Sequence, residues 1–427
     1  MQKPSRATSY GLIMFLLTTG VLAYSLKGTT RTFYLPGPTT SGHYQIELAC
    51  DGCHTSAFTD QAELQAACVR CHGEELEQAH DSHPLKKFTD PRNAELLTHL
   101  DARLCVTCHR EHRPELVSAM GLSLPEDYCY RCHQGIAEER PSHAGLSFAS
   151  CADPGCHNFH DNRGLYEDYL LRSLEEQPLG TTPKRRTPAK GNELGWADAD
   201  APPHVRLAET EQRGWLASAH AAAGVNCSGC HGGGSAGSFS ERVDDARCAD
   251  CHAEEHQGYL RGRHGMRQAA GLGPLKVADA RAPMLPSAHA KTLSCTACHG
   301  AHRFDTRAAA ADACLGCHAD EHSRSYPATP HAALFRADET GASGASCATC
   351  HLPRQLAADG SVTVEHNQNA TLRPNEKLVR SVCTRCHEAA FSLAALADAD
   401  LVLRNFDRAP SKQHPSIEMI RARAREN

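Results

Sequence analysis

Hydrophobic positions form one long run near the N-terminus and only short groups elsewhere in the chain. The run extends from Tyr10 to Leu26 and is preceded by Lys3 and Arg6. Alternation of Val, Ile and Tyr with polar residues, which is typical of strands, is scarce, whereas Ala, Gly and Pro are frequent. The pattern predicts a mainly α fold, in which short helices are joined by much irregular loop and no sizeable sheet forms.

The length of the N-terminal run is intermediate between those of two kinds of export segment, a membrane-spanning helix and a cleaved secretory signal. Its 17 residues match the lower end of the about 17–25 residues that span a bilayer and exceed the apolar core of about 7–15 residues in a secretory signal. Ala23-Tyr24-Ser25 offers a cleavage site, but Lys27 follows soon after. We expect residues 1–26 to be an uncleaved anchor, with the protein on the periplasmic side of the bacterial inner membrane. Cleavage would instead leave a soluble periplasmic protein.

The cysteines form eleven pairs without remainder. Ten times the chain has the pattern Cys-x-x-Cys-His, and Cys151-Ala-Asp-Pro-Gly-Cys156-His157 is a variant with four intervening residues. Paired cysteines are Cys50 and Cys53, Cys68 and Cys71, Cys105 and Cys108, Cys129 and Cys132, Cys151 and Cys156, Cys227 and Cys230, Cys248 and Cys251, Cys295 and Cys298, Cys314 and Cys317, Cys347 and Cys350, and Cys383 and Cys386. The histidines that follow them are His54, His72, His109, His133, His157, His231, His252, His299, His318, His351 and His387.

This spacing has a specific chemical meaning. Cys-x-x-Cys-His is the attachment signature of c-type haem: two thioethers hold one porphyrin, and the adjacent histidine is the proximal ligand of its iron. Zinc sites need no histidine after each pair, and redox dithiols do not occur in tens. We therefore predict eleven covalently attached haem c groups.

Each iron needs a sixth ligand, and the composition favours histidine. Of 28 histidines, 17 remain after the proximal ones, whereas the chain has only six methionines. For the first five haems we predict the distal ligands His43, His83, His112, His143 and His160. For the last six haems we predict His220, His264, His289, His302, His322, His331 and His366, which is one more than needed. His80, His99, His204 and His414 are predicted as ordinary solvated histidines, and His256 is left open.

The distribution of motifs divides the chain. Residues 27–42 are predicted as a tether, 43–165 as a five-haem domain, 166–214 as a linker that begins with a short helix, 215–391 as a six-haem domain and 392–427 as a C-terminal tail. The charged end of this tail, Met419 to Asn427, is expected to be solvated. The second domain contains a repeat: residues 215–264 and 284–331 are similar, as in Trp215-Leu-Ala-Ser-Ala-His220 and Met284-Leu-Pro-Ser-Ala-His289.

The motif doublets, such as Cys105-Val-Thr-Cys-His-Arg-Glu-His112 followed by Cys129-Tyr-Arg-Cys-His133, resemble multihaem c-type cytochromes of the doubled-CxxCH, cytochrome c3-like type. Cys347-Ala-Thr-Cys-His-Leu-Pro-Arg354, with His366 later, is similar to segments of the nitrite reductase and hydroxylamine oxidoreductase group. The first resemblance implies covalent haem. The marks of an unusual proximal ligand, such as Cys-x-x-Cys-Lys, are absent from the sequence.

These observations predict an exported, membrane-tethered undecahaem cytochrome that carries electrons through bis-histidine haems, with no catalytic residue. The predicted partners are redox proteins, either membrane-bound and quinol-linked or periplasmic, and the inner membrane through the N-terminal helix. The formal net charge of −6 argues against nucleic acid as a partner. The alternatives are an oxidoreductase that acts on a small nitrogen or sulfur oxyanion at one open haem, and a filament-forming cytochrome.

The number of haems is testable by intact mass. We expect the purified protein to exceed the mass of its polypeptide by eleven haem groups, because all 22 cysteines are paired in attachment motifs. The same measurement on a Cys151→Ala/Cys156→Ala variant should show ten. If the parent protein carried only ten haems, the motif with four intervening residues would carry none.

Overall fold

The computed structural model describes most of the chain. The described residues are 6–25, 28–56, 58–79, 88–99, 101–118, 121–124, 128–146, 159–160, 169–174, 183, 193–205, 208–232, 239–338, 343–357, 359–372 and 377–426. Over these residues the fold consists mostly of short helices and loops, with two longer helices, and the single sheet has two strands. The predicted mainly α fold without a sizeable sheet is confirmed.

The chain divides into two compact units. The first unit comprises Met1–Ala152 and Ala270–Leu272, and the second comprises Asp153–Ala269 and Gly273–Asn427. The predicted five-haem and six-haem domains stay predictions, because the Cys151–His157 motif lies outside the described residues.

The first unit contains two long helices and several single turns. Its α-helices are Arg6–Ser25, Gln61–Ala79, Leu96–His99, Cys105–Cys108 and Ile136–Glu139. Its 3-10 helices are Gly28–Tyr34, Tyr44–Ile46, Cys50–Gly52, Pro91–Asn93, Pro114–Leu116, Tyr128–Arg131 and Pro141–His143.

The second unit contains more helices, all of them short. Its α-helices are Leu171–Ser173, Glu209–Leu216, Ala219–Ala222, Cys227–His231, Asp245–Ala249, Ala253–Arg261, Met266–Ala269, Cys295–His299, Thr306–Ala310, Asp312–Leu315, Glu321–Ser325, Pro330–Ala337, Cys347–His351, Asn369–Leu372, Lys377–Ser381, Ala389–Ala397, Ala399–Leu403 and Pro415–Glu426. Its 3-10 helices are Trp196–Asp198, Val277–Asp279, Pro286–Ala288, Tyr326–Ala328 and Cys383–Arg385. The strands Arg354–Leu356 and Val362–Val364 pair antiparallel, with Gln355 opposite Thr363.

Side-chain caps start many of these helices. Thr329 accepts a hydrogen bond from the amide of Ala332 at the start of Pro330–Ala337, where Pro330 occupies the first turn. Asp398 caps Ala399–Leu403 in the same way. Such local signals matter here because helices of four to nine residues are not stable without support from caps and packing.

The main hydrophobic core of the second unit joins distant segments of the chain. It contains Leu170, Leu174, Val379, Ala389, Leu393, Ile417 and Ile420. The start of the predicted linker is therefore packed, as are Ile417 and Ile420 of the C-terminal segment. Of the end that was expected to be solvated, Ile420 is buried, whereas Ala422, Ala424 and Arg425 are exposed. The prediction that His414 is solvated is wrong: its side chain is buried, and its Nδ1 lies 2.5 Å from the hydroxyl of Ser416.

A second, smaller core contains Ala311, Tyr326 and Ala332. The hydroxyl of Tyr326 donates to the backbone oxygen of Ala345, so its polar end is satisfied. Cys347 of a haem motif packs against this cluster. This core therefore contacts a candidate haem site.

The N-terminal helix does not fulfil the expectation of an anchor. The apolar run lies in the helix Arg6–Ser25. Among the helices of the described residues, none combines the length and the apolar character needed to cross a bilayer. The predicted N-terminal membrane anchor is therefore wrong.

The packed tail leads to a stability prediction. Ile417 is fully buried in the main core, so Ile417→Ala should lower the free energy of unfolding by about 2–5 kcal/mol. The measurement is guanidinium unfolding followed by visible circular dichroism. Leu356, which is 67% exposed, provides the control, and Leu356→Ala should change the free energy by less than about 0.5 kcal/mol. Equal effects of the two substitutions would contradict the packing of the tail.

Candidate haem-binding sites

Each described motif is built on one helical turn. The amide of the motif histidine donates to the carbonyl of the first cysteine, four residues earlier, as in His54 to Cys50 at 2.7 Å and His318 to Cys314 at 2.8 Å. This turn places both cysteines and the histidine on one side of the backbone. Three residues before motifs reinforce it: the side chains of Asn226, Ser294 and Ser346 cap the helices that begin at the next residue.

The cysteines are available for thioether formation. Twenty of them lie in the described part of the chain, and all twenty are free of disulfides. Cys151, Cys156 and His157, which form the variant motif, lie outside the described residues. The predicted distal ligand His83 also lies outside them.

Among the described residues, the structure places seven motif histidines close to a second histidine, with interplanar angles from 21° to 87°. In each pair one ring belongs to a motif and the other does not. The pairs, with the distance between ring centroids, are His72–His43 at 5.9 Å, His231–His302 at 6.0 Å, His252–His220 at 6.0 Å, His299–His366 at 6.3 Å, His318–His264 at 6.2 Å, His351–His322 at 6.1 Å and His387–His331 at 5.9 Å.

This separation fits a metal ion between the rings. An imidazole nitrogen binds a metal at about 2.0–2.1 Å, so two imidazoles on opposite faces of one iron have centroids about 6 Å apart. Rings that packed directly on each other have no reason to keep one separation in seven places. The histidine pairs and the free cysteines beside them therefore fit covalently held haem with two axial histidines.

All six motifs from Cys227 onward have such a pair, and His289 is not in any of them. Its side chain is exposed, so it is the surplus residue of the predicted set. The axial partners of His54, His109 and His133 stay predictions, as do the distal roles of His112, His143 and His160.

Three of the paired histidines favour their neutral form. Burial lowers the pKa of His264, His299 and His351 to about 4 in each case, and nearby histidines lower it further. At neutral pH these rings carry an unprotonated nitrogen, which is the form that binds a metal.

Hydrogen bonds at Nδ1 orient several of the rings. The Nδ1 of His366 lies 2.8 Å from the carbonyl oxygen of Val364, and the Nδ1 of His322 contacts the carbonyl oxygen of Val402. A donor bond from Nδ1 leaves Nε2 as the metal-binding atom.

His43 has a carboxylate partner instead. Its Nδ1 lies 2.6 Å from Oε1 of Glu111. Burial raises the pKa of Glu111, but bonds from His43 and Thr40 outweigh it and lower the pKa to about 2. Glu111 is thus an anion beside a candidate ligand. Glu111 belongs to no recognised motif, and its position next to His112 is the signal for it in the sequence.

Consecutive motifs are neighbours in space. In the second unit each motif has a thiol that interacts electrostatically with a thiol of the next motif along the chain; the pairs are Cys230–Cys248, Cys248–Cys295, Cys298–Cys314, Cys314–Cys347 and Cys350–Cys386. In the first unit the corresponding pairs are Cys53–Cys71, Cys68–Cys105 and Cys108–Cys129. Within each unit the described motifs follow one another in sequence order.

One of these junctions also has the composition of a metal-ion cluster. The side chains of Asp245, Cys248 and Cys295 lie close together, and the carboxylate of Asp245 accepts a hydrogen bond from the backbone amide of Cys295 at 3.1 Å. Because both cysteines belong to haem motifs, the cluster is explained by the contact of two motifs.

Phe406 holds two of the histidines that lie outside the motifs. Its ring lies edge-on to His322 at 6.4 Å and at 6.5 Å from His331. Asn405 and Phe406 both adopt positive φ, at 55° and 59°, and the Asn405 side chain donates to the carbonyl of His322. Two successive non-glycine residues in this region are strained, and the contacts with the histidines maintain the turn.

The comparisons with known proteins agree with this geometry. Residues 42–134 and 219–319 each match the family model described as cytochrome c3, and each region contains four complete motifs. No curated protein and no solved structure gives a significant match. Cys347–Arg354 and His366 lie outside both regions, so their resemblance to the nitrite reductase group stays a prediction.

The Phe406 contacts are testable. Phe406→Ala removes the ring between His322 and His331, so we expect the low-spin absorption of the holoprotein to be lost at lower temperature than in the parent, because two rings lose packing. Phe33, which is 86% exposed, gives the matched control Phe33→Ala, which should melt like the parent. Parent-like melting of Phe406→Ala would show that the ring does not support the centres.

Proposed function

We propose that the chain, a multihaem c-type cytochrome with two cytochrome c3 regions, transfers electrons between redox partners through a row of bis-histidine haems. The observation that carries the proposal is the set of seven histidine pairs about 6 Å apart. Haem supplies the reversible one-electron step when bound. The protein would supply two thioethers and two imidazoles to each haem.

In this proposal the motif histidines are the proximal ligands and the second ring of each pair is the distal ligand. His302, His220, His366, His264, His322 and His331 then serve the six haems from Cys227 onward, in that order. Two imidazoles on every iron favour electron transfer over catalysis, because both axial positions are filled.

The order of the motifs supports a row rather than a cluster. Each thiol pair in the second unit links one motif only to the next along the chain. We propose that electrons move between consecutive haems, entering or leaving near the motifs at Cys227 and Cys383. With the variant motif at Cys151 included, the full complement is eleven haems.

We further propose that the partners are redox proteins, either membrane-bound and quinol-linked or periplasmic. Covalent haem attachment takes place in the exported protein, so its partners face the same compartment. The formal net charge is −6, and each haem adds two propionates. A partner with a basic docking surface is therefore favoured by electrostatic steering.

The carrier function is tested by opening one iron. Replacing His366, which lies opposite His299, with alanine should convert one haem from low-spin to high-spin. The reduced variant should bind about one equivalent of carbon monoxide, whereas the reduced parent should bind none at the paired centres. The Soret band and the high-spin electron paramagnetic resonance signal measure both effects.

The exposed His289 provides the matched control, and His289→Ala should behave like the parent. A fully low-spin His366→Ala protein would show that His366 is not an axial ligand. A parent protein that binds carbon monoxide at these centres would overturn the carrier function.

A further inference from the structure

Residues 42–134 and 219–319 each contain four motifs. One candidate haem centre occupies the same position in both regions. His43 and His220 each lie seven residues before the first cysteine of their region. Each faces the histidine of the second motif, His72 at 5.9 Å and His252 at 6.0 Å. The two centres thus have the same place in their copies.

The turn beside these centres also has the same backbone. In both copies a histidine follows the third motif by three residues, and both adopt positive φ, at 60° for His112 and 66° for His302. A non-glycine residue in this conformation is uncommon, so its recurrence at equivalent positions indicates that the turn is conserved between the copies.

One residue of this turn differs in charge. Glu111 precedes His112, whereas Ala301 precedes His302. Oε1 of Glu111 lies 2.6 Å from Nδ1 of His43. The carboxylate is held by the backbone amide and the hydroxyl of Thr40, at 2.8 and 2.9 Å.

The second copy offers an apolar neighbour instead. The Nδ1 of His220 is buried and has no hydrogen-bond partner among the described residues. The ring of Phe304, from the same turn, lies edge-on to His220 at 4.5 Å. The distal side of this centre is therefore apolar where its counterpart is anionic.

The proximal sides differ less. Nδ1 of His72 lies within hydrogen-bond distance of Oε2 of Glu75, at 3.4 Å, whereas Nδ1 of His252 lies 4.0 Å from Oε2 of Glu255. Each acidic residue is three positions after its histidine. The larger contrast between the two centres therefore lies in the distal ligand.

A carboxylate that accepts a hydrogen bond from the Nδ1–H group makes the imidazole a stronger electron donor to the metal. Ferric haem carries one more positive charge than ferrous haem. The stronger donor and the nearby anion therefore stabilise the oxidised state more than the reduced state. Ligand hydrogen bonding and local charge are established determinants of haem potential.

We propose that Glu111 is a positioning and tuning residue that holds the haem of His72 at a lower reduction potential than the equivalent haem of His252. The inference rests on the proposed axial roles of His43 and His220. It makes the two otherwise matched centres unequal: the haem of His72 is the stronger electron donor, and the haem of His252 is the better acceptor.

Reciprocal substitutions in the full holoprotein test the inference. Glu111→Ala gives the first copy the residue of the second, and Ala301→Glu does the reverse. We expect one component of a redox titration to move to higher potential in Glu111→Ala and one to lower potential in Ala301→Glu. Electron paramagnetic resonance at each potential follows the low-spin haems separately.

Two further variants separate charge from structure. Glu111→Gln keeps an acceptor for His43 but removes the charge, so it should shift the same component in the same direction by a smaller amount. Thr40→Val removes one support of the carboxylate and keeps the charge, so it should leave the potential closer to that of the parent than Glu111→Ala does.

The failure of this inference is distinct from failure of the proposed function. His43→Ala should produce one high-spin haem if His43 is a ligand. If it does, and Glu111→Ala shifts no component, the tuning role is wrong and the ligand assignment stands. If His43→Ala stays low-spin, the assignment itself is wrong. A Glu111→Ala shift to lower potential would also overturn the inference.

Discussion

The contact on which the rest of the structure depends is the one between the two histidine rings of each candidate centre. Most pairs join segments that are far apart in the chain, as His299 and His366 do. The apolar cores among the described residues are small, and most of the helices are too short to be stable alone. In the proposed centres, iron held by both rings would supply the long-range links that a larger core provides in other proteins, and folding would then be coupled to haem binding.

The sequence predicts the local part of each centre well and the long-range part poorly. Two cysteines and a histidine within five residues require one helical turn, and the described motifs show it. Which distal histidine meets which motif depends on chain paths that no local pattern encodes. His302 follows the third motif of its region by three residues but faces His231 of the first. The sequence shows only that seven distal candidates exist for six haems. The structure identifies His289 as the surplus candidate, because its side chain is exposed.

The C-terminal segment shows the same limit for packing. Its charged end suggested a solvated tail, because Arg and Glu dominate after Met419. Ile417 and Ile420 nevertheless lie on one side of the helix Pro415–Glu426 and complete a core with Leu170 and Leu393. Two apolar residues at a helical spacing of three are a weak signal alone. Part of the surface that they pack against, Leu170 and Leu174, comes from a segment more than 200 positions away in the sequence, and no local pattern reveals that contact.

The difference between a carrier and an enzyme depends on the axial positions of the irons. In the second unit the six proposed centres use six motif histidines and six others, and their motifs follow one another in order.

An enzyme of this type needs one iron whose distal side is free for substrate, with polar groups that bind the substrate. In the proposed centres an imidazole would instead close the distal side, and Phe406 and Phe304 contact three of these rings. Aromatic packing fixes a ligand in place and keeps water away from it. Rapid electron exchange is favoured when ligands and solvent rearrange little as the iron changes its charge. If all centres share two histidines, they differ mainly in the environment of those ligands, of which the carboxylate of Glu111 beside His43 is an example.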